Sequence, residues 1–146
     1  MGLDMYLTAS ANMLDSEGVE IEGLDAGGME IAAVEYRAGY WRKANAVHGW
    51  FVQHVQGGED NCRPYEVERK QLEQLRDLCA YILKDEDTDG LPPTAGFFFG
   101  SSEVDDWYWD DLRLTVDICN NALGLGQQAP LLVIRLPVQL VILVYN

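Results

Sequence analysis

Residues 66–84 constrain this chain more than any other stretch. Leu72, Leu75, Leu78, Cys79, Ile82 and Leu83 recur there at helical spacing and form one wide apolar stripe. A helix apolar along one stripe is not stable alone, so a second layer must cover it. Glu66 and Glu68 suit its amino-terminal end, and Lys84 its carboxyl-terminal end, through the helix dipole.

The covering layer is legible as strands. Residues 3–9 alternate, with Leu3, Met5 and Leu7 on one face. Residues 29–37 are the next strand candidate, bounded by Gly27-Gly28 and Gly39. Between them residues 12–28 are polar, acidic and Gly-punctuated, with a loose hairpin suggested around Val19-Glu20-Ile21-Glu22. Phe97-Phe98-Phe99, between Gly96 and Gly100, reads as a short buried strand.

Two more helices are expected. Residues 40–56 place Trp41, Ala44, His48, Phe51, Val52 and Val55 on one face, with Trp41 in the core and Trp50 at its rim, and Gly57-Gly58 as the stop. Residues 104–123 carry Tyr108, Leu112, Thr115, Cys119 and Ala122 on one face, capped by Ser101 or Ser102. The pattern predicts a single α+β domain, three helices packed on a small, mostly antiparallel sheet, in a chain of 146 residues.

The segment from Leu131 onward differs. Twelve of its sixteen residues are apolar and only Arg135 is charged. As a helix it would span about 24 Å, short of the ~30 Å hydrocarbon core, and Arg135 and Pro137 also oppose a membrane span. Two buried strands split at Pro137 are expected, although residues 129–146 are out of keeping with the remainder and would promote association if exposed. Met1-Gly-Leu-Asp lacks the basic and uninterrupted apolar regions of a signal peptide. Cys62, Cys79 and Cys119 are odd in number and contain no CxxC pair, which predicts reduced thiols, with a Cys62–Cys79 bridge as the one alternative.

Charge narrows function. The chain carries 24 acids against 10 Lys and Arg, a net charge of −14. A surplus of that size repels nucleic acid and anionic membrane and attracts basic surfaces. It is unevenly spread: residues 1–39 hold eight acids and one base, while residues 40–90 hold ten acids and seven bases. Duplex DNA carries one charge per ~1.7 Å of axis, so the surplus would match roughly 24 Å of duplex if gathered on one side.

The candidate partner-binding residues are Asp85, Glu86 and Asp87, with Glu103, Asp105, Asp106, Asp110 and Asp111. Paired carboxylates on one helix face can bind a hard cation or split acid and base roles, but the spacing matches no calcium loop, and acids at a helix start also simply favour the dipole. His48 could serve as a base or ligand with the carboxylates of the third helix; its place on an apolar stripe favours a packed, hydrogen-bonded ring. Gly124-Leu-Gly-Gln-Gln-Ala mimics a dinucleotide fingerprint but follows a helix instead of a strand, and Ser101-Ser102 sits in no GxSxG elbow. No cofactor or metal is indicated.

Met1-Gly-Leu-Asp-Met-Tyr-Leu, Tyr40-Trp-Arg-Lys-Ala-Asn, His48 with Trp50-Phe51-Val52, Gly96-Phe-Phe-Phe-Gly-Ser101, and Trp107-Tyr108 with Asp111-Leu112 are long, aromatic-rich phrases. Together they resemble a family of small proteins encoded by phages and prophages. The likeness runs over about residues 1–124, and the apolar tail departs from it. The resemblance implies an accessory protein of the bacterial host cytoplasm and carries over no catalytic residue. In that setting the expectation is a non-enzymatic acidic inhibitor of anti-CRISPR or anti-restriction type. Its partner would be a host protein with a basic surface, without direct contact to nucleic acid or membrane. An enzyme using His48, and a homodimer or larger assembly held through the tail, are the alternatives.

Overall fold

The computed structural model describes residues 3–12, 25, 27–93, 104–124 and 138–145. The elements in chain order are β1 (Asp4–Asn12), β2 (Ala33–Arg42), α1 (Asn45–His54), β3 (Tyr65–Val67), α2 (Arg69–Asp85), α3 (Asp106–Gly124) and β4 (Val138–Tyr145). The four strands form one antiparallel sheet in the order β2-β1-β4-β3. The architecture is the expected α+β arrangement of three helices and a small sheet.

Alternation in β1 decides which face the helices cover. Leu3, Met5, Leu7 and Ala9 are buried, whereas Asp4, Tyr6, Thr8 and Ser10 are only partly covered. Met5 pairs with Trp41 and Val144, and Leu7 with Gly39 and Ile142, so the buried face continues across three strands. Leu72, Leu75, Cys79 and Ile82 of α2 join the same core, with Leu112, Thr115, Ile118 and Cys119 of α3. Removing such a side chain from water contributes roughly 1.5–3 kcal/mol.

α3 lies close to β2 at one point. A Cβ added at Gly39 would overlap the Ile118 side chain, so glycine here lets the helix approach the strand. The register shifts beside it, between Leu7 and Thr8, which takes Ala38 out of the ladder as a bulge. α2 and α3 run antiparallel. Arg69 at the start of α2 donates from Nη2 to the Leu123 carbonyl at 2.8 Å, and Tyr108 near the start of α3 donates its hydroxyl to the Leu91 carbonyl, just past α2, at 2.6 Å.

The helix expected over 40–56 begins only at Asn45. Tyr40, Trp41 and Arg42 are the end of β2, paired with Tyr6, Met5 and Asp4. Trp41 reaches the core from a strand: its indole Nε1 donates to Thr115 Oγ1 at 2.9 Å, and its ring meets Phe51 edge-on at 5.7 Å. Lys43, with φ 58°, turns the chain, and its N–H donates to the Leu3 carbonyl at 2.7 Å. Trp50 is core and not rim, 5 % exposed and edge-on to Phe51 at 5.4 Å.

Other boundaries moved for related reasons. The strand expected over 29–37 starts at Ala33, where pairing with Asn12 begins, and Met29 is left exposed behind the Gly27-Gly28 turn. Tyr65–Val67, partly read as helix, is β3 and pairs with β4. α2 then starts behind Glu68, whose N–H donates to Gln71 Oε1 at 2.8 Å. Past Pro137 the tail forms one strand, with Ile142 and Val144 buried. None of the three cysteines is in a disulfide, so the alternative Cys62–Cys79 bridge does not form; Cys79 and Cys119 are buried and Cys62 is exposed. The expectations for Val19–Glu22, Phe97–Phe99, the Ser101 or Ser102 cap, and the stretch from 125 to 137 lie outside the described residues.

Candidate interaction site

The antiparallel pairing of α2 with α3 brings two acidic stretches to one end of the helical hairpin. Residues 85–111 contain nine acids and no Lys or Arg. Asp85 closes α2, and Glu86 follows in the left-handed region at φ 56°, its N–H still bonded to the Ile82 carbonyl at 2.9 Å. Asp87 accepts the Tyr81 hydroxyl at 3.2 Å and the Asp89 N–H at 3.1 Å, which folds the acidic loop on itself. The hydrogen bond to Asp87 holds the Tyr81 phenol above its ordinary value.

Leu91, 2 % exposed, anchors the loop, and its carbonyl receives the Tyr108 hydroxyl. That bond ties the 85–91 stretch to the first turn of α3. Burial, with a smaller contribution from Cys79, pushes the Tyr108 phenol up to about 12, so it stays protonated and donates. Asp105 caps α3 by accepting the Tyr108 N–H at 2.9 Å. Asp106 opens the helix, exposed, and Asp110 pairs with Arg113 at 2.9 Å. Both members of that pair are well exposed, so it adds little.

Asp111 differs from its neighbours. It is half-buried, and desolvation first, then the charges of Asp105 and Asp110, raise its carboxyl to about 6. Of the expected partner-binding residues, Asp85, Glu86, Asp87, Asp105, Asp106, Asp110 and Asp111 therefore lie at one end of the hairpin, while Glu103 lies outside the described residues. The helix dipole accounts for Asp105 and Asp106 but not for Asp85, Glu86, Asp87 and Asp89, which sit at the carboxyl end of α2, where it disfavours acids.

His48 meets a different carboxylate from those expected. Its Nε2 lies 3.3 Å from Asp60 Oδ1, in the connection between α1 and β3, and its side chain is 14 % exposed. His54 stacks on Trp50 at 4.6 Å. Among the described residues no group of three His, Cys, Asp or Glu side chains could hold a metal ion. Burial pushes the Cys79 and Cys119 thiols up to about 12, so both behave as small apolar side chains at neutral pH.

Two features were not anticipated. Trp107 is 77 % exposed, beside the acidic end of α3. Its offset from the stripe of Tyr108, Leu112 and Thr115 was the available signal. The second is a groove of about 720 Å³ on the sheet face away from the helices, lined by Asp4, Tyr6, Thr8, Glu35, Arg37 and Leu143. Its charged groups are largely engaged: Asp4 accepts the Tyr40 hydroxyl at 2.6 Å, and the Arg37 guanidinium lies 5.7 Å from the Tyr6 ring centre.

Among the described residues no helix is long and apolar enough to cross a membrane. Compared with protein-family models, curated proteins and solved structures, the chain matches none.

Proposed function

We propose that this protein is a non-enzymatic binding protein whose acidic hairpin end occupies a basic surface that otherwise holds nucleic acid. The observation that carries this reading is the placement of acids at the carboxyl end of α2. Helix electrostatics oppose them there, yet the loop that bears them is fastened to the equally acidic start of α3 through Tyr108 and Leu91. Capping and the dipole account for Asp105 and Asp106, and Asp87 braces its own loop, but neither accounts for Asp85, Glu86 and Asp89 beside them. Cationic surfaces recognise gathered negative charge, and such encounters are fast and salt-sensitive. The resemblance to small phage and prophage proteins points to a bacterial defence complex as the owner of the surface, in an anti-CRISPR or anti-restriction role.

The test is competition. A labelled DNA duplex bound to a CRISPR effector or a restriction complex should be released by the protein, at a midpoint that rises steeply with salt. A variant with Asp105, Asp106, Asp110 and Asp111 all changed to Asn should need at least about tenfold more protein, at about 1.4 kcal/mol per tenfold. A duplex that stays bound to every complex tried, at low salt and saturating protein, would exclude the reading.

A further inference from the structure

The acidic end also carries exposed apolar side chains that the core does not use. Trp107 is 77 % exposed and Leu114 41 %. They are seven residues apart on α3, two helical turns, and so share one flank about 10.5 Å long. Asp110 and Asp111 stand three and four residues beyond Trp107, and four and three before Leu114. Helical geometry therefore sets the two carboxylates between the two apolar side chains, one on each side of the stripe. Ile118 continues the same flank inward, where it packs on Gly39 of β2.

Resting on the reading above, we propose that this flank of α3 is a docking surface for a basic amphipathic helix of a protein partner. A lysine or arginine stem lies along the Trp107 ring, with its charged head at Asp110 and Asp111.

Three observations specify that occupant. An indole face attracts a cation, and more strongly once water is excluded. Among the described residues Asp110 pairs with the exposed Arg113 and no cation lies against Asp111, so an incoming charge has a carboxylate to meet. The apolar positions repeat at helical spacing, which suits a partner helix laid alongside. Nucleic acid is disfavoured by the nine acids of residues 85–111. Exposed tryptophans within a polar rim are the side chains most often found to dominate binding energy.

Fluorescence anisotropy of the full chain with two labelled synthetic peptides tests the proposal. One peptide is a lysine–leucine amphipathic helix; the other is oligolysine of equal charge. The intact chain should bind the amphipathic peptide more tightly, and with a salt-dependent Kd. Trp107→Ala should weaken the amphipathic peptide at least tenfold and oligolysine less than twofold. Asp110→Asn with Asp111→Asn should weaken both. Circular dichroism of each variant checks folding, and Trp107→Phe, which keeps an aromatic face, should recover part of the loss.

Equal binding of the amphipathic peptide by the intact chain and Trp107→Ala overturns the docking surface while leaving the electrostatic reading in place. No salt-dependent binding of either peptide by the intact chain overturns both. Sedimentation showing a dimer that Trp107→Ala dissolves assigns the flank to a second copy and also overturns the proposal.

Discussion

The two halves of α3 are built to opposite specifications. From Thr115 onward the helix turns Ile118, Cys119, Ala122 and Leu123 into the core, receives the Trp41 indole on Thr115, and has its Leu123 carbonyl met by Arg69. Before Thr115 it carries Asp105, Asp106, Asp110 and Asp111, leaves Trp107 in water, and buries chiefly Tyr108 and Leu112. One continuous helix thus couples a rigid, apolar anchor to a charged, unsaturated head. Substitutions in the second half should be read in stability, and those in the first half in binding.

The largest expected effect sharpens the anchor. Ile118→Ala empties the contact with Gly39 in a well-packed place and should cost about 2–4 kcal/mol, measured as a lower denaturation midpoint at unchanged slope. A loss below about 1 kcal/mol would remove the distinction between the halves.

Next comes Thr115→Val. It keeps the volume but strips the acceptor from the buried Trp41 Nε1, which should cost about 1–3 kcal/mol. The Thr115 hydroxyl itself donates to the Asp111 carbonyl at 2.6 Å, so this site joins the two halves. A neutral outcome would mean that the indole finds another acceptor.

The smallest effect belongs to the head and has the opposite sign. The Asp111 carboxyl titrates at about 6 in the folded protein, above the 3.8 of an unperturbed aspartate. Folding therefore favours its protonated form. The charged form weakens the fold above about pH 6, and that cost disappears as pH falls from 6 towards 4. Asp111→Asn should stabilise the protein at pH 7 by about 1 kcal/mol, the full linkage value being reduced for the solvent that reaches this half-exposed group. The gain should vanish near pH 4. Thermal melts of both proteins across that range test it, and a destabilised variant at pH 7 would show that Asp111 holds the helix instead of straining it.

The same contrast explains what could be read from sequence. α2 was plain because its stripe is unbroken and its outer face polar, and β1 because Leu3, Met5, Leu7 and Ala9 alternate without interruption. The stretch around Trp41 reads as helix because Trp41, Ala44 and His48 are spaced three and four apart, while the left-handed Lys43 that divides strand from helix leaves no mark in composition. β3 is three residues long, too short for periodicity to register, and exists through its pairing with β4. The acids of the site were evident as residues; that α2 and α3 bring them together follows from Arg69 meeting Leu123 and Tyr108 meeting Leu91, contacts far apart in the chain. The exposure of Trp107 is hard to read from composition, because aromatic side chains usually belong to the core.

The position of β4 bears on how this chain reaches its native state. Asp4 pairs with Tyr145, and β4 separates β1 from β3 within the sheet. The hairpin of β1 and β2 can zip early, but its apolar side has no inner neighbour until residues synthesised far later arrive. Closing so long a loop is entropically slow, and pairings of this sequence separation retard folding. During synthesis the strand bearing Met5 and Leu7 must wait with one edge bare, a window in which chaperones or adhesion between nascent copies compete with completion of the sheet.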